Sequence, residues 1–162
     1  LFETKPRAQK AGVNNIELIV KRNNNSFREL GFYNQFDFVL IDAPCSGLGT
    51  TRRNPMLKFQ FSQKAVNKIT QVQDEILNEV APCVKPGGIL VYATCSILPE
   101  ENQERVERFL QYHPEFVKSP LQDAFRRFGL NHIVQKDQSM LTLYPHRHGC
   151  DGFFMARLQK QS

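Results

Sequence analysis

Apolar residues fall along this chain in two kinds of pattern. Phe36 to Ile41 and Ile89 to Thr94 are short, nearly continuous apolar runs, and each stops abruptly in turn-forming residues. Such runs predict buried parallel strands that feed loops. Between them, Ala65, Val66, Ile69, Val72, Ile76, Leu77 and Val80 recur at helical spacing. They predict a helix from about Gln63 to Val84, capped by Ser62 and stopped by Lys85-Pro86-Gly87-Gly88. Pro99 and Glu100 open a further helix through about Tyr112, with Val106, Phe109 and Leu110 on one face. Upstream, Lys5 to Lys10 is basic and helix-permissive, with Thr4 as a cap, Pro6 in the first turn and Gly12 as its end. Ile16 to Val20 then alternates like a short strand, before the polar break of Asn23, Asn24, Asn25 and Ser26. Near the other end, Ser139 to Leu143 and Gly152 to Leu158 read as strands. The polar loop from Tyr144 to Cys150 is short enough to join them as an antiparallel hairpin. Residues 121–138 carry no assignable period. The alternation of helix and strand predicts an α/β fold, with a mostly parallel sheet and an antiparallel strand at the C-terminal end.

Composition narrows the picture only a little. At 162 residues with 41% apolar content, the chain suits one domain with a real core. Its apolar runs are too short to cross a bilayer, and no secretory leader is evident. The chain opens at Leu1 within a helix-like segment, which reads as an internal position of a longer protein. The net charge of +5 suits an anionic partner. Four widely separated cysteines, Cys45, Cys83, Cys95 and Cys150, include no CxxC pair. Zinc binding and a thioredoxin-like redox role are therefore not expected, and a reduced, cytoplasmic setting fits.

The candidate chemistry sits where the two apolar runs stop. In open α/β sheets, ligands bind outside the carboxyl ends of the strands. One run ends in Asp42-Ala43-Pro44-Cys45-Ser46-Gly47 and the other in Thr94-Cys95-Ser96. A lone cysteine is most often a small buried hydrophobe, the reading given to Cys83 and Cys150. Cys45 and Cys95 each follow a strand end and precede a serine, which favours a site. Asp42, an acid after four apolar residues, is better explained by a site than by a turn cap. Arg52 and Arg53 are either solvated surface or phosphate ligands beside that site. His146, Arg147 and His148 form a short cationic loop, and a metal there is not expected.

These residues resemble a known family. Asp42-Ala43-Pro44-Cys45-Ser46-Gly47-Leu48-Gly49 with Arg52-Arg53-Asn54-Pro55 is similar to one motif of the Sun/Fmu-type (NOL/NOP/Sun) RNA cytosine-5 methyltransferases. Lys85-Pro86-Gly87-Gly88 through Tyr92-Ala93-Thr94-Cys95-Ser96, followed by Glu100, Glu101 and Asn102, resembles a second, and Asp151-Gly152-Phe153-Phe154 a third. The resemblance implies a Rossmann-like class I methyltransferase fold and S-adenosylmethionine as methyl donor. It also implies RNA as substrate, ribosomal RNA first and transfer RNA second. Cys95 would attack carbon 6 of cytosine, so that carbon 5 can accept a methyl group, and Cys45 would assist product release. Asp42 would contact the base. Asp42, Asn23 and Pro44 would lie against the donor, and Arg52 and Arg53 against RNA. The target cytosine would be unpaired or flipped.

The chain also departs from the pattern. No glycine-rich donor loop precedes residue 12, and the first two strands of such a fold are not represented. Asn23-Asn24-Asn25 occupies a stretch where the family carries an acid, and Met56 follows Pro55 where an acid is usual. The expectation is thus a single partial catalytic domain over residues 1–162, inactive by itself, with an exposed sheet edge prone to self-association. A non-catalytic RNA-binding relative is the alternative.

Overall fold

A computed structural model describes residues 3–21, 26–60 and 62–162. Its helices and strands follow, with few exceptions, from the apolar pattern. β1 (Phe36–Asp42) alternates in burial: Ile41 is buried and Val39 half-buried, whereas Phe36, Phe38, Leu40 and Asp42 are exposed. The run therefore reads as buried on two faces but is covered on one, with Phe36, Phe38 and Leu40 left exposed on the other. A crossover carries the chain to β2 (Val84–Thr94), which pairs in parallel with β1. The bulk of that crossover is a helix. Two short helices precede it in the chain, α1 (Thr4–Lys10) and α2 (Leu57–Gln60), and the crossover helix itself is α3 (Gln63–Val80). The Ser62 hydroxyl accepts a hydrogen bond from the Ala65 N–H at 3.2 Å, as a cap should.

α3 ends with its apolar period at Val80, four residues before the expected end at Val84. A 3-10 turn over Ala81–Cys83 follows it, and β2 starts at Val84. Lys85-Pro86-Gly87-Gly88 thus lies inside the strand. There it forms a bulge: Phe36 pairs with Val84 but Phe38 pairs with Ile89. Gly87 takes φ +78°, which a side chain would strain.

After β2, a 3-10 turn over Pro99–Glu101 leads into α4 (Gln103–Tyr112). Then come β3 (Phe116–Lys118), α5 (Gln122–Arg126) and β4 (Met140–Leu143). The four-residue helical turn α6 (Pro145–His148) leads to β5 (Phe153–Lys160). β5 runs antiparallel to β2 on one side and to both β3 and β4 on the other. The spatial order is β1-β2-β5, with β4 beside the start of β5 and β3 beside its end. The expected mostly parallel sheet is therefore mixed in the described residues, with one parallel pairing and three antiparallel ones. Only β1 and β2 are joined by a long helical crossover, which parallel pairing requires. The α/β, Rossmann-like class holds.

One core forms where α3 and α4 cover the sheet. Leu77, Val84, Leu90, Tyr92, Val106, Phe154 and Leu158 are fully buried there. Each such side chain contributes about 1.5–3 kcal/mol relative to exposure. Arg105 joins the two helices through Asp74 at 2.7 Å. Ile16–Val20 forms no strand. It finds no partner among the described residues, and an unpaired extended segment satisfies none of its backbone groups. Thr4 lies inside α1 and does not cap it; Glu3 holds the cap position without a side-chain bond. No described helix is long and apolar enough to cross a membrane.

Candidate active site

Because β1 and β2 are parallel neighbours, their carboxyl ends reach the same rim. Asp42 pairs with Ala93, and the Ala43 N–H still donates to the Ala93 carbonyl at 2.9 Å. Beyond that bond the two chains part as loops that run side by side. Cys45 stands on the first and Cys95 on the second, and their Sγ atoms lie 3.2 Å apart. Both are free thiols, half-buried. Burial, and then the hydrogen bond with Cys95, push the Cys45 thiol up to about 12. Cys45 therefore keeps its proton through neutral pH and can donate it in an S–H···S contact toward Cys95.

A layer of buried polar groups lies behind the sulfurs. Glu101, fully buried, accepts from the Ser46 N–H at 2.7 Å, the Ser46 hydroxyl at 2.5 Å and the Ser96 hydroxyl at 2.7 Å. Gln73 of α3, also fully buried, donates through Nε2 to the Pro44 carbonyl at 2.8 Å and to Glu101 at 3.3 Å. The Tyr92 hydroxyl donates to the Glu101 carbonyl at 2.8 Å. Asn102 donates to the Ser96 carbonyl at 3.0 Å and accepts from the Thr94 hydroxyl at 2.6 Å. All but one of the side-chain polar atoms in this layer are partnered, the Gln73 Oε1 being the exception among the described residues, and such a network favours a single arrangement.

Backbone closes the site from the other side. The Gly49 N–H donates to the Cys95 carbonyl at 2.9 Å, and the Gly152 N–H to the Gly49 carbonyl at 2.8 Å. Three segments far apart in sequence meet there with no room for a side chain. A β-carbon on Gly49 would lie 2.7 Å from the Cys95 carbonyl oxygen. Asp151, next to Gly152, accepts from Arg53 Nε at 2.6 Å, which ties the loop before β5 to the loop after Cys45. That ion pair raises the Arg53 pKa.

Of the residues singled out in the sequence, Cys45 and Cys95 come together. Asp42 and Pro44 stand on the same rim with exposed side chains. Asp42 lines an open groove of about 660 Å³ along β1, with Leu40, Phe36, Phe32 and Ile19 among its walls, and makes no side-chain hydrogen bond to a described residue. Arg53 is held by Asp151, and Arg52 is exposed. Asn23 lies outside the described residues. Sequence reasoning gave no role to Ser46, Ser96, Glu101 or Gln73. One signal was present: Gln73 falls on the buried stripe of α3, with Val66, Thr70 and Leu77.

The profile of a family described as 16S rRNA methyltransferase RsmB/F matches residues 4–159. A probable ribosomal RNA small subunit methyltransferase B from Synechocystis is 41% identical over 124 residues, covering 76% of this chain and 27% of that protein. Ribosomal RNA small subunit methyltransferase B from Yersinia pseudotuberculosis is 42% identical over 127 residues, with coverage of 78% and 27%. The chain thus spans about a quarter of the length of these relatives. Among solved structures, a methyltransferase homologue from Pyrococcus horikoshii superimposes with a TM-score of 0.74 at 30% identity, over 98% of this chain and 49% of that one.

Proposed function

The chain belongs to the RsmB/F family of 16S rRNA methyltransferases, and from that premise we propose that it carries the two-thiol part of a site that methylates carbon 5 of cytosine in RNA, ribosomal RNA foremost. The observation that supports this reading is the 3.2 Å contact between Cys45 and Cys95 at the rim of two parallel strands. Cys95, as thiolate, adds to carbon 6 of the base. That addition turns carbon 5 from a poor nucleophile into an enamine-like one. S-adenosylmethionine, when bound, would supply the methyl group to carbon 5 and leave as S-adenosylhomocysteine. Loss of the carbon 5 proton to water and cleavage of the carbon 6–sulfur bond, with Cys95 leaving as thiolate, then restore the aromatic base, and Cys45 assists that release by donating a hydrogen bond to the departing sulfur. The protonated Cys45 fits its side of the pair, because a thiol that holds its proton stabilises a thiolate in contact with it. Asp42, at the strand end, would hydrogen-bond the ring nitrogen or amino group as charge develops. Arg52, with Arg53 beside it, offers cations to the RNA backbone.

The donor side is less complete. Asp42 edges the groove along β1, yet the described residues supply no glycine-rich turn whose N–H groups could hold the donor's carboxylate. We therefore assign residues 1–162 to a partial catalytic domain that is inactive by itself. The full-length protein tests the reading. Bisulfite sequencing of exposed ribosomal and transfer RNA should find new 5-methylcytosine in the ribosomal RNA. Cys45→Ala should leave protein covalently trapped on RNA in denaturing gels, and Cys95→Ala should not. Equal trapping by both variants would reverse the role assignment. RNA that is bound but never methylated would favour a binding relative.

A further inference from the structure

We propose that Glu101 is the positioning residue of the two-thiol centre, holding both cysteine loops through the serine that follows each cysteine. The inference rests on the reading of Cys45 and Cys95 as the reacting pair. Ser46 directly follows Cys45 and Ser96 directly follows Cys95. Both hydroxyls bond to the same carboxylate oxygen of Glu101, at 2.5 and 2.7 Å, while the Ser46 N–H takes the other oxygen at 2.7 Å. The two hydroxyls are 3.3 Å from each other, close to the separation of the two sulfurs. One side chain thus joins two loops that are 50 residues apart in the chain, at the level of the sulfurs, beside the backbone bond from Gly49 to Cys95. The register of β1 on β2 aligns the strands only as far as Ala43 and Ala93, so it cannot set the separation of the loops alone.

Glu101 is itself held rigidly. Tyr92 anchors its carbonyl, Arg105 Nε anchors the neighbouring Glu100 carbonyl at 2.8 Å, and Gln73 braces its carboxylate from α3. A buried carboxylate that lacked such donors would be strongly destabilising, so the cluster must form as a unit. Glu100 does not duplicate it: it is half-buried, and no side-chain contact joins it to either serine. Reacting groups tolerate displacement poorly, and a shift of about 1 Å can cost on the order of a hundredfold in rate.

The test uses Glu101→Gln in the full-length protein, which keeps volume but turns an acceptor oxygen into an amide donor facing other donors. Phenylarsine oxide reports thiol placement, because arsenic bonds two neighbouring sulfurs and releases one water. Dithiol capture by the variant should be lost, while single alkylation of Cys95 by iodoacetamide persists. Turnover should fall on the order of a hundredfold with KM for RNA unchanged. Ser46→Ala and Ser96→Ala, which each remove one arm, should give intermediate losses of capture and turnover, and they keep the question open to test if Glu101→Gln does not fold. Unchanged capture and turnover would overturn the proposal. So would a loss of activity that only tracks the folded fraction while capture is retained. A wild-type protein that captures the arsenical without methylating cytosine would defeat the functional reading and leave the role of Glu101 in thiol placement to be judged by capture alone.

Discussion

At Gly49 the chain has no space for even a methyl group. The nearest atoms to a β-carbon there belong to the backbones of Gly152 and Cys95, which cannot swing aside as a flexible side chain would. Gly49→Ala should therefore destabilise the protein by about 1–3 kcal/mol, as overpacking does elsewhere. Thermal denaturation would measure it, and a melting temperature equal to that of wild type would disprove the close approach. The same neighbourhood separates what a sequence can tell from what it cannot. Cys45 and Cys95 are legible because each follows an apolar run and precedes a serine. Glu101 is not, because it stands beside Glu100 in the same polar stretch, and only the turn over Pro99–Glu101 decides which acid faces inward. Arg53 looks like a free cation in the sequence, whereas Asp151, 98 residues away, holds it.

At the scale of elements, α3 carries the clearest signal and the clearest overstatement. Its start is readable to the residue, since Ser62 caps it. Ser62→Ala should cost about 1 kcal/mol, visible as a lower denaturant midpoint with an unchanged slope. An unchanged midpoint would mean that the hydroxyl bond adds nothing. The stripe is shifted from the apolar period: Val72 is exposed, while Thr70 and Gln73 are buried. Apolarity alone cannot reveal this, because Gln73 is buried to reach Pro44 and Glu101, not to escape water. β3 spans three residues and is defined by pairing with β5, so no local period announces it. Ile16–Val20 shows the converse, a strand-like period with no neighbour to pair with among the described residues.

At the scale of the molecule, one flank of the sheet stands open. Among the described residues β1 pairs on one side only, and Phe36, Phe38 and Leu40 are exposed on it, Phe38 and Leu40 each 60% exposed. An apolar strand with a free edge invites pairing with another chain. The isolated 162-residue chain should therefore self-associate as its concentration rises, and sedimentation velocity would detect this. Phe38→Lys should weaken the association, since a charged edge is a poor template for pairing. A monomer at every soluble concentration would contradict this expectation. The wider architecture was legible as far as the helical crossover reaches. The mixed character of the sheet was not, because it depends on how β3, β4 and β5 return to it.

β5 lies between β2 on one side and β3 and β4 on the other, yet it comes after all of them in the chain. A ribosome therefore releases Cys45 and Cys95 well before the strand that completes their support. Until Phe153–Lys160 emerges, β2 lacks its inner neighbour, and Gly152 is not there to close on Gly49. Until then the nascent chain carries both thiols and Glu101 without the backbone closure of Gly152 on Gly49, so the rim is complete only once the last strand of the sheet has been made.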